Sequence, residues 1–252
     1  MIVYLSGIQR KSVKDNRILS LLKKYRPSIM QSFYTEKKNI LNEVSDDIMI
    51  DSGAFSMLAD KNKSKIDIYK YADKYAEFLK RNNVKLYMEL DLDLIIGYEN
   101  VLKIRNDLQK KTGVQPIPVW HKRLGIEEFK KMCKNYPYVA IGGLVTKEIK
   151  KIEFPHLRTL ISMAHDYGVK IHGLGFTATK VMPLYKFDSV DSSSWGYGKR
   201  FSNTSIFTGK YVVFMHRRDF GGMNMYMKDI YDIEAHDIYE WIKYQKYAKE
   251  YL

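Results

Sequence analysis

The stretch KIHGLGFTATKVMPLYKFDSVDS, residues 170–192, contains the unit from which the fold is built. Its ends, 170–176 and 187–192, are short apolar runs typical of strands, and the residues between them predict a short helix interrupted by a proline. Most of the chain before it repeats this alternation of strand and helix, which is typical of α/β proteins. The other predicted strands are 2–5, 29–34, 48–51, 85–92, 116–120 and 138–143.

Eight predicted strands in 252 residues favour an α/β fold of the (β/α)8 TIM barrel type. An open, doubly wound parallel sheet is the alternative, but no Gly-x-Gly-x-x-Gly follows the first strand. After residue 195 the pattern changes, and residues from about 196 to 252 predict a short C-terminal extension that ends in a closing helix. We therefore expect a single domain over residues 1–252.

The composition predicts a globular, cytoplasmic protein without a membrane span. Hydrophobic residues make up 45% and charged residues 28% of the chain, and no apolar run is long enough to cross a bilayer. The N-terminus does not have the pattern of a signal peptide. Cys133 is the single cysteine, so the chain forms no internal disulfide and no zinc site built on several thiolates.

The formal net charge is +13, with lysine supplying most of the excess. This charge is compatible with a polyanionic partner such as nucleic acid, and equally with an ordinary lysine-rich surface. The charge by itself does not separate these two interpretations.

Three predicted strands carry aspartate near their carboxyl ends, where the active sites of barrel enzymes lie. In DIMIDSGAF, residues 47–55, alternation places Asp51 on the inner face and leaves Ser52 and Gly53 to turn the chain. A simple turn-capping role for Asp51 is the alternative. In YMELDLDL, residues 87–94, the acids at positions 89, 91 and 93 share one face, and Asp91 and Asp93 lie nearest the strand end.

The third strand, FDSVDS, contains two aspartates three residues apart, so only one of them can point inward. Asp191 lies nearer the carboxyl end, and its choice leaves Val190 to pack on the helices. We therefore expect Asp191 in the site and Asp188 in a structural role. His121 and His172 are weaker candidates for the site, since single histidines are often structural. Gly142 and Gly143 end another strand and allow either a tight turn or close approach to a flat ligand.

These motifs resemble those of the tRNA-guanine transglycosylases, and more closely the short phage-type relatives that exchange guanine in DNA or RNA for a 7-deazaguanine. DSGAF is similar to the family's Asp-Ser-Gly-Gly-Phe motif, and VDSSSW resembles its Phe-Asp-Ser-x-Ser-Tyr segment. AIGGL resembles the Gly-Gly-Leu stretch that lines the base pocket, and HGLGF the segment that precedes the nucleophile strand. The motifs follow the family's order between residues 47 and 195.

The resemblance implies a barrel enzyme in which Asp191 is the nucleophile that bonds to C1′ of the ribose. Asp51 would be the general acid and base, and Asp91 or Asp93 would read the edge of the base. The remaining substrate-binding residues that it implies are Gly142, Gly143, Leu144, Ser52, Gly53, Phe55 and His121. It implies no cofactor and no metal. The implied partners are DNA or tRNA and a 7-deazaguanine base, and a homodimer is left open.

The sequence departs from the family pattern in three ways. One cysteine cannot form the Cys3His zinc site of the tRNA enzymes, Ala54 replaces the second glycine of their aspartate motif, and Trp120 or His121 stands near the position of a base-reading glutamine. The short length and the missing zinc site favour a phage-like or defence-associated relative, with DNA as a candidate substrate.

Two other functions are kept beside base exchange. One is a carboxylate-cluster hydrolase, either a metal-assisted nuclease or an N-glycosidase, that uses the aspartates at positions 51, 91, 93 and 191. The other is a nucleic-acid-binding barrel without catalysis.

Overall fold

The computed structural model describes residues 1–8, 13–35, 41–59, 66–196, 203–216 and 229–252. Its main sheet has seven parallel strands in the order β3-β2-β1-β7-β6-β5-β4 and curls into a half-barrel flanked by helices. The strands are β1 Ile2–Ser6, β2 Ile29–Ser32, β3 Ile48–Asp51, β4 Val119–Trp120, β5 Tyr138–Ile141, β6 Lys170–Gly173 and β7 Ser189–Ser192. The α/β class is as predicted, with each of these strands inside or overlapping a predicted one.

The prediction of a closed eight-stranded TIM barrel is wrong. The predicted strand 85–92 is not a strand of the sheet, and it touches each sheet edge through a single parallel bridge, Ile50 with Tyr87 and Met88 with Ile117. Four backbone hydrogen bonds of 2.8 to 3.0 Å accompany these bridges. The regular ladder therefore stops at seven strands, and this segment spans the gap between the two edges.

Glu89 explains why the pairing with the β4 edge ends there. The Glu89 amide donates to Ile117 O at 3.0 Å, and the Val119 amide is the next donor on that strand. The Val119 amide donates instead to the Glu89 side chain, at 2.6 Å from Oε1. The Arg105 guanidinium binds both oxygens of the same carboxylate, at 2.6 and 3.0 Å. The prediction that Glu89 shares the face of Asp91 and Asp93 is wrong, because Glu89 is bound to Arg105 on a flanking helix.

The helices are α1 Asn16–Tyr25, α2 Ala54–Ala59, α3 Ile68–Arg81, α4 Asp93–Ile96, α5 Tyr98–Thr112, α6 Gly125–Asn135, α7 Pro155–Asp166 and α8 Ile230–Tyr251. Aspartates cap three of them, since the side chains of Asp15, Asp67 and Asp229 accept hydrogen bonds from amides of the first turns of α1, α3 and α8. None of the helices in the described ranges is both long and apolar enough to cross a membrane.

The sheet separates an interior from a helix-covered outer layer. The interior is lined by a compact set of apolar residues, namely Tyr4, Met30, Met49, Met88, Ile117, Val119 and Ala140. The outer layer is larger, and Val190 lies in it as strand alternation predicts. The two layers fix which side chains of each strand can reach the open end of the half-barrel.

The C-terminal region adds an antiparallel hairpin, β8 Asn203–Phe207 and β9 Val212–His216, and the long helix α8. Buried Asp237 on α8 accepts hydrogen bonds from the Thr204 hydroxyl at 2.8 Å and the Ser205 amide at 2.7 Å. The amino group of Met1 donates to Ala248 O at 3.2 Å, so α8 also contacts the start of the chain.

We expect Glu89→Leu to lower the free energy of unfolding by about 3–5 kcal/mol, because Arg105 then keeps a buried charge without its carboxylate. The matched control is Asp73→Ala, which breaks the exposed pair of Asp73 with Lys111 and should cost less than about 1 kcal/mol. Urea unfolding followed by circular dichroism measures both. Equal losses in the two variants would contradict this role for Glu89.

Candidate active site

Three aspartates meet at the carboxyl edge of the half-barrel. Asp51 ends β3, Asp191 lies near the end of β7, and Asp91 follows the bridged residues Tyr87 and Met88. Burial raises the pKa of Asp51 to about 7, and the charges of Asp91 and Asp191 add to this effect. The Gly53 amide opposes the shift by hydrogen bonding. Asp51 therefore changes its protonation near neutral pH, although part of its surface reaches solvent.

The turn after Asp51 requires glycine. Gly53 has φ of +81°, and a Cβ there would lie 2.3 Å from Tyr34 Cβ. The Ser52 side chain is fully buried, and its backbone oxygen accepts a hydrogen bond from the Tyr71 hydroxyl at 2.6 Å. Phe55, the last residue of the motif, is 55% exposed. Of these predicted substrate-binding residues, Phe55 is the one whose side chain is open to a ligand, while Ser52 and Gly53 shape the turn.

Asp191 has the placement that strand alternation predicts. Its side chain is mostly buried, and its Oδ1 accepts a hydrogen bond of 2.6 Å from the Gly175 amide. Asp188 lies at the opposite end of the strand, where its Oδ2 accepts from the Ile171 amide at 2.7 Å and contacts His165 Nε2 at 3.0 Å. Asp188 therefore ties β6 and α7 to the start of β7, away from the carboxyl edge.

A polar network holds Asp91. His121 Nε2 lies 3.3 Å from Asp91 Oδ2, and His121 Nδ1 lies 3.3 Å from Glu148 Oε2. The Arg123 amide donates to Glu148 Oε1 at 2.9 Å, and its guanidinium binds both Glu148 and Asp93. Burial favours a lower pKa for His121, but hydrogen bonding to Asp91 and the charge of that carboxylate outweigh burial and raise it.

This network distinguishes Asp91 from Asp93, the two acids that the sequence left as alternatives. Asp93 begins α4 and is committed to Arg123, whereas Asp91 acts on Asp51 through its charge. Asp91, rather than Asp93, therefore lies near Asp51. Glu148 and Arg123 were missed by the sequence analysis, although each follows a predicted strand end, which is the one signal that singles them out.

The two glycines after β5 make room for this network. A Cβ on Gly142 would lie 2.6 Å from His121 Cε1, and one on Gly143, whose φ is +81°, would lie 3.1 Å from Glu148 Cβ. Gly142 and Gly143 therefore allow the His121 ring and the Glu148 side chain to pack against the backbone. Leu144, the next predicted pocket residue, is half-buried beside them.

The described residues contain no group of three or more His, Cys, Asp or Glu side chains arranged to hold a metal ion. Of the four aspartates that the hydrolase hypothesis treats as ligands or acids, Asp93 is paired with Arg123 and Asp191 with a backbone amide. The arrangement provides instead an acid that titrates near neutral pH and a second carboxylate with a fixed orientation. Such a pair is suited to acid–base and nucleophilic chemistry.

We expect Asp51→Asn to change how stability depends on pH. The pKa of Asp51 is about 7 in the folded chain against an ordinary value of 3.8. Between these values the folded chain keeps a proton that the unfolded chain loses, so wild-type stability falls as pH rises toward 7. The variant lacks this loss. Its free energy of unfolding, relative to wild type, should rise by about 1–3 kcal/mol between pH 5 and pH 8. Parallel urea-unfolding profiles across this range would contradict the shift.

No protein-family model matches the chain, and no curated protein is significantly similar to it. The likeness to guanine transglycosylases therefore depends on short motifs and on where their residues lie. DSGAF carries Asp51, AIGGL carries the glycines against His121, and VDSSSW carries Asp191. All three motifs lie at the carboxyl edge of one curled sheet.

Proposed function

We propose that this protein is a transglycosylase that exchanges guanine in nucleic acid for a 7-deazaguanine base through a covalent intermediate on Asp191. The observation that carries the proposal is the pairing of Asp51, whose pKa is raised to about 7, with Asp191, whose Oδ1 is bound by the Gly175 amide. One group exchanges protons near neutral pH, and the other is an oriented carboxylate. Both belong to motifs that resemble those of the guanine transglycosylases.

In the first half of the reaction, an Asp191 oxygen attacks C1′ of the nucleotide. The bond between C1′ and the base nitrogen breaks, its electron pair leaves with the base, and protonated Asp51 neutralises the departing base. In the second half, the Asp51 carboxylate takes a proton from the incoming base. The nitrogen of that base then bonds to C1′, and the electron pair of the ester bond returns to Asp191.

The residues around Asp51 and Asp191 support the binding of a purine-like ligand. Asp91 offers carboxylate oxygens that can accept from N–H groups on the edge of a base, and His121 holds one of them at 3.3 Å. A nucleotide must leave its stack to reach a site at the carboxyl edge of the half-barrel. The net charge of +13 supports binding of the phosphates on either side of that nucleotide.

The proposal predicts different outcomes at the two aspartates of FDSVDS. Asp191→Asn should abolish the covalent adduct and lower base exchange at least about a thousandfold. Asp51→Asn should lower exchange by about a hundredfold or more, because it cannot move the base proton. Asp188→Asn is the matched control, three residues from the nucleophile, and should keep most of the activity. The measurement is incorporation of labelled guanine into tRNA and duplex DNA, with mass spectrometry of the denaturant-stable adduct.

An adduct that persists in Asp191→Asn and disappears in Asp188→Asn would move the nucleophile to Asp188. Release of free base without incorporation of a new one would indicate an N-glycosidase, in which water takes the place of the incoming base. No reaction on either nucleic acid, with binding intact, would favour the hypothesis of a non-catalytic binding protein.

We also expect binding to depend steeply on salt, since phosphate contacts release counterions. Affinity for an oligonucleotide should fall about tenfold or more between about 50 and 200 mM salt. Fluorescence anisotropy with a labelled single strand measures this, and Asp191→Asn should bind with the same salt dependence as wild type. Affinity that does not change with salt would argue against a nucleic-acid substrate.

A further inference from the structure

A row of polar side chains runs through the apolar interior of the half-barrel and ends at Asp191. Register places His172 of β6 beside Ser189 of β7, and both are completely buried. The Tyr138 hydroxyl lies 2.5 Å from Ser189 Oγ, and Ser189 Oγ lies 2.5 Å from His172 Nδ1. His172 Nε2 then faces Asp191 Oδ1 at 3.5 Å. Buried polar groups in an apolar interior are costly unless they are paired, so this row requires an explanation.

The order of hydrogen bonds in this row determines which nitrogen of His172 carries the proton. Burial raises the pKa of Tyr138 to about 12, so its hydroxyl keeps its proton and can donate. Ser189 Oγ is its hydrogen-bond partner within the described part of the chain. If Tyr138 donates to Ser189, the buried Ser189 proton has His172 Nδ1 as its acceptor among the described residues, so Nδ1 accepts it. The proton of the imidazole then resides on Nε2.

The opposite direction is unfavourable at the Asp191 end of the row. With a proton on Nδ1, His172 would donate to Ser189 and Ser189 would donate to Tyr138, whose own proton would have no acceptor among the described residues. The Nε2 lone pair would also face the Asp191 carboxylate. Nε2 makes no hydrogen bond within the described residues, and its 3.5 Å distance from Oδ1 is slightly longer than an ordinary hydrogen bond. Contacts of catalytic groups commonly shorten when substrate binds.

We infer that His172 is a positioning residue for Asp191, and that Asp191 Oδ2 is the oxygen that attacks C1′. This inference rests on the proposed function. The Gly175 amide donates to Oδ1 at 2.6 Å, and His172 Nε2 faces the same oxygen. Both contacts turn the carboxylate so that Oδ2 points to the substrate side. When the bond between C1′ and Oδ2 breaks in the second half-reaction, its electron pair returns to the carboxylate, and the two donors stabilise that charge.

Four substitutions test this role through base exchange. His172→Phe keeps a ring but removes the donor, and it should slow exchange about 10–100-fold with little change in nucleic-acid affinity. His172→Gln places an amide nitrogen near the position of Nε2 and should restore part of the rate. His172→Asn, which places its amide near Nδ1, is the matched control and should restore none. Ser189→Ala should weaken exchange less than His172→Phe. A full exchange rate in His172→Phe would overturn the inference.

A second measurement does not depend on activity. Two-bond ¹H–¹⁵N correlation spectra of the chain labelled with ¹⁵N-histidine report which imidazole nitrogen is protonated, and loss of a signal in His172→Gln assigns it. We expect the Nε2–H form in wild type and a mixture of forms in Ser189→Ala. An Nδ1–H form in wild type would overturn the inference even if the chain exchanges bases. If the wild-type chain shows the Nε2–H form but does not exchange bases, the contact between His172 and Asp191 is supported and the proposed function is rejected.

Discussion

The hydrogen bond between the Val119 amide and the Glu89 carboxylate is the interaction on which the rest of the site depends. The carboxylate accepts from this amide at 2.6 Å, where a regular ladder would use a backbone oxygen, and it is held by Arg105. Strand pairing on the β4 side therefore ends after a single bridge. The chain that follows leaves the sheet at the open edge, and this brings Asp91 within 3.3 Å of His121. If the strand had continued through residue 92, alternation would have placed Asp91 on the same face as Glu89.

Asp51 shows how the fold converts an ordinary carboxyl into a group that titrates near neutral pH. Burial and the like charges of Asp91 and Asp191 all favour its protonated form. Asp91 and Asp191 are each held by donors from outside the cluster, His121 in one case and the Gly175 amide in the other. The three acids therefore have different surroundings, and burial raises the pKa of Asp51 to about 7. A carboxyl with such a raised pKa suits general acid–base chemistry.

The glycines of the site have a structural explanation that the resemblance alone does not provide. Gly142 lies against the His121 ring and Gly143 against Glu148. A Cβ at Gly142 would displace the His121 ring that contacts Asp91, and a Cβ at Gly143, whose φ is +81°, would strain the backbone and crowd Glu148. The glycines of AIGGL thus make room for the polar network behind the acids.

The sequence by itself determined the α/β class, the positions of the seven strands of the main sheet and the assignment of the inner and outer faces of β7. These follow from local alternation, which requires no knowledge of neighbours, and so Asp191 and Asp188 were separated correctly in space. The tertiary structure decided where alternation fails. The break after Glu89 depends on Arg105, which is distant in sequence, and the choice between Asp91 and Asp93 depends on Arg123. A side chain that replaces a backbone acceptor, or an ion pair between separate elements, leaves no periodic signal in the sequence, because it is set by which elements pack together.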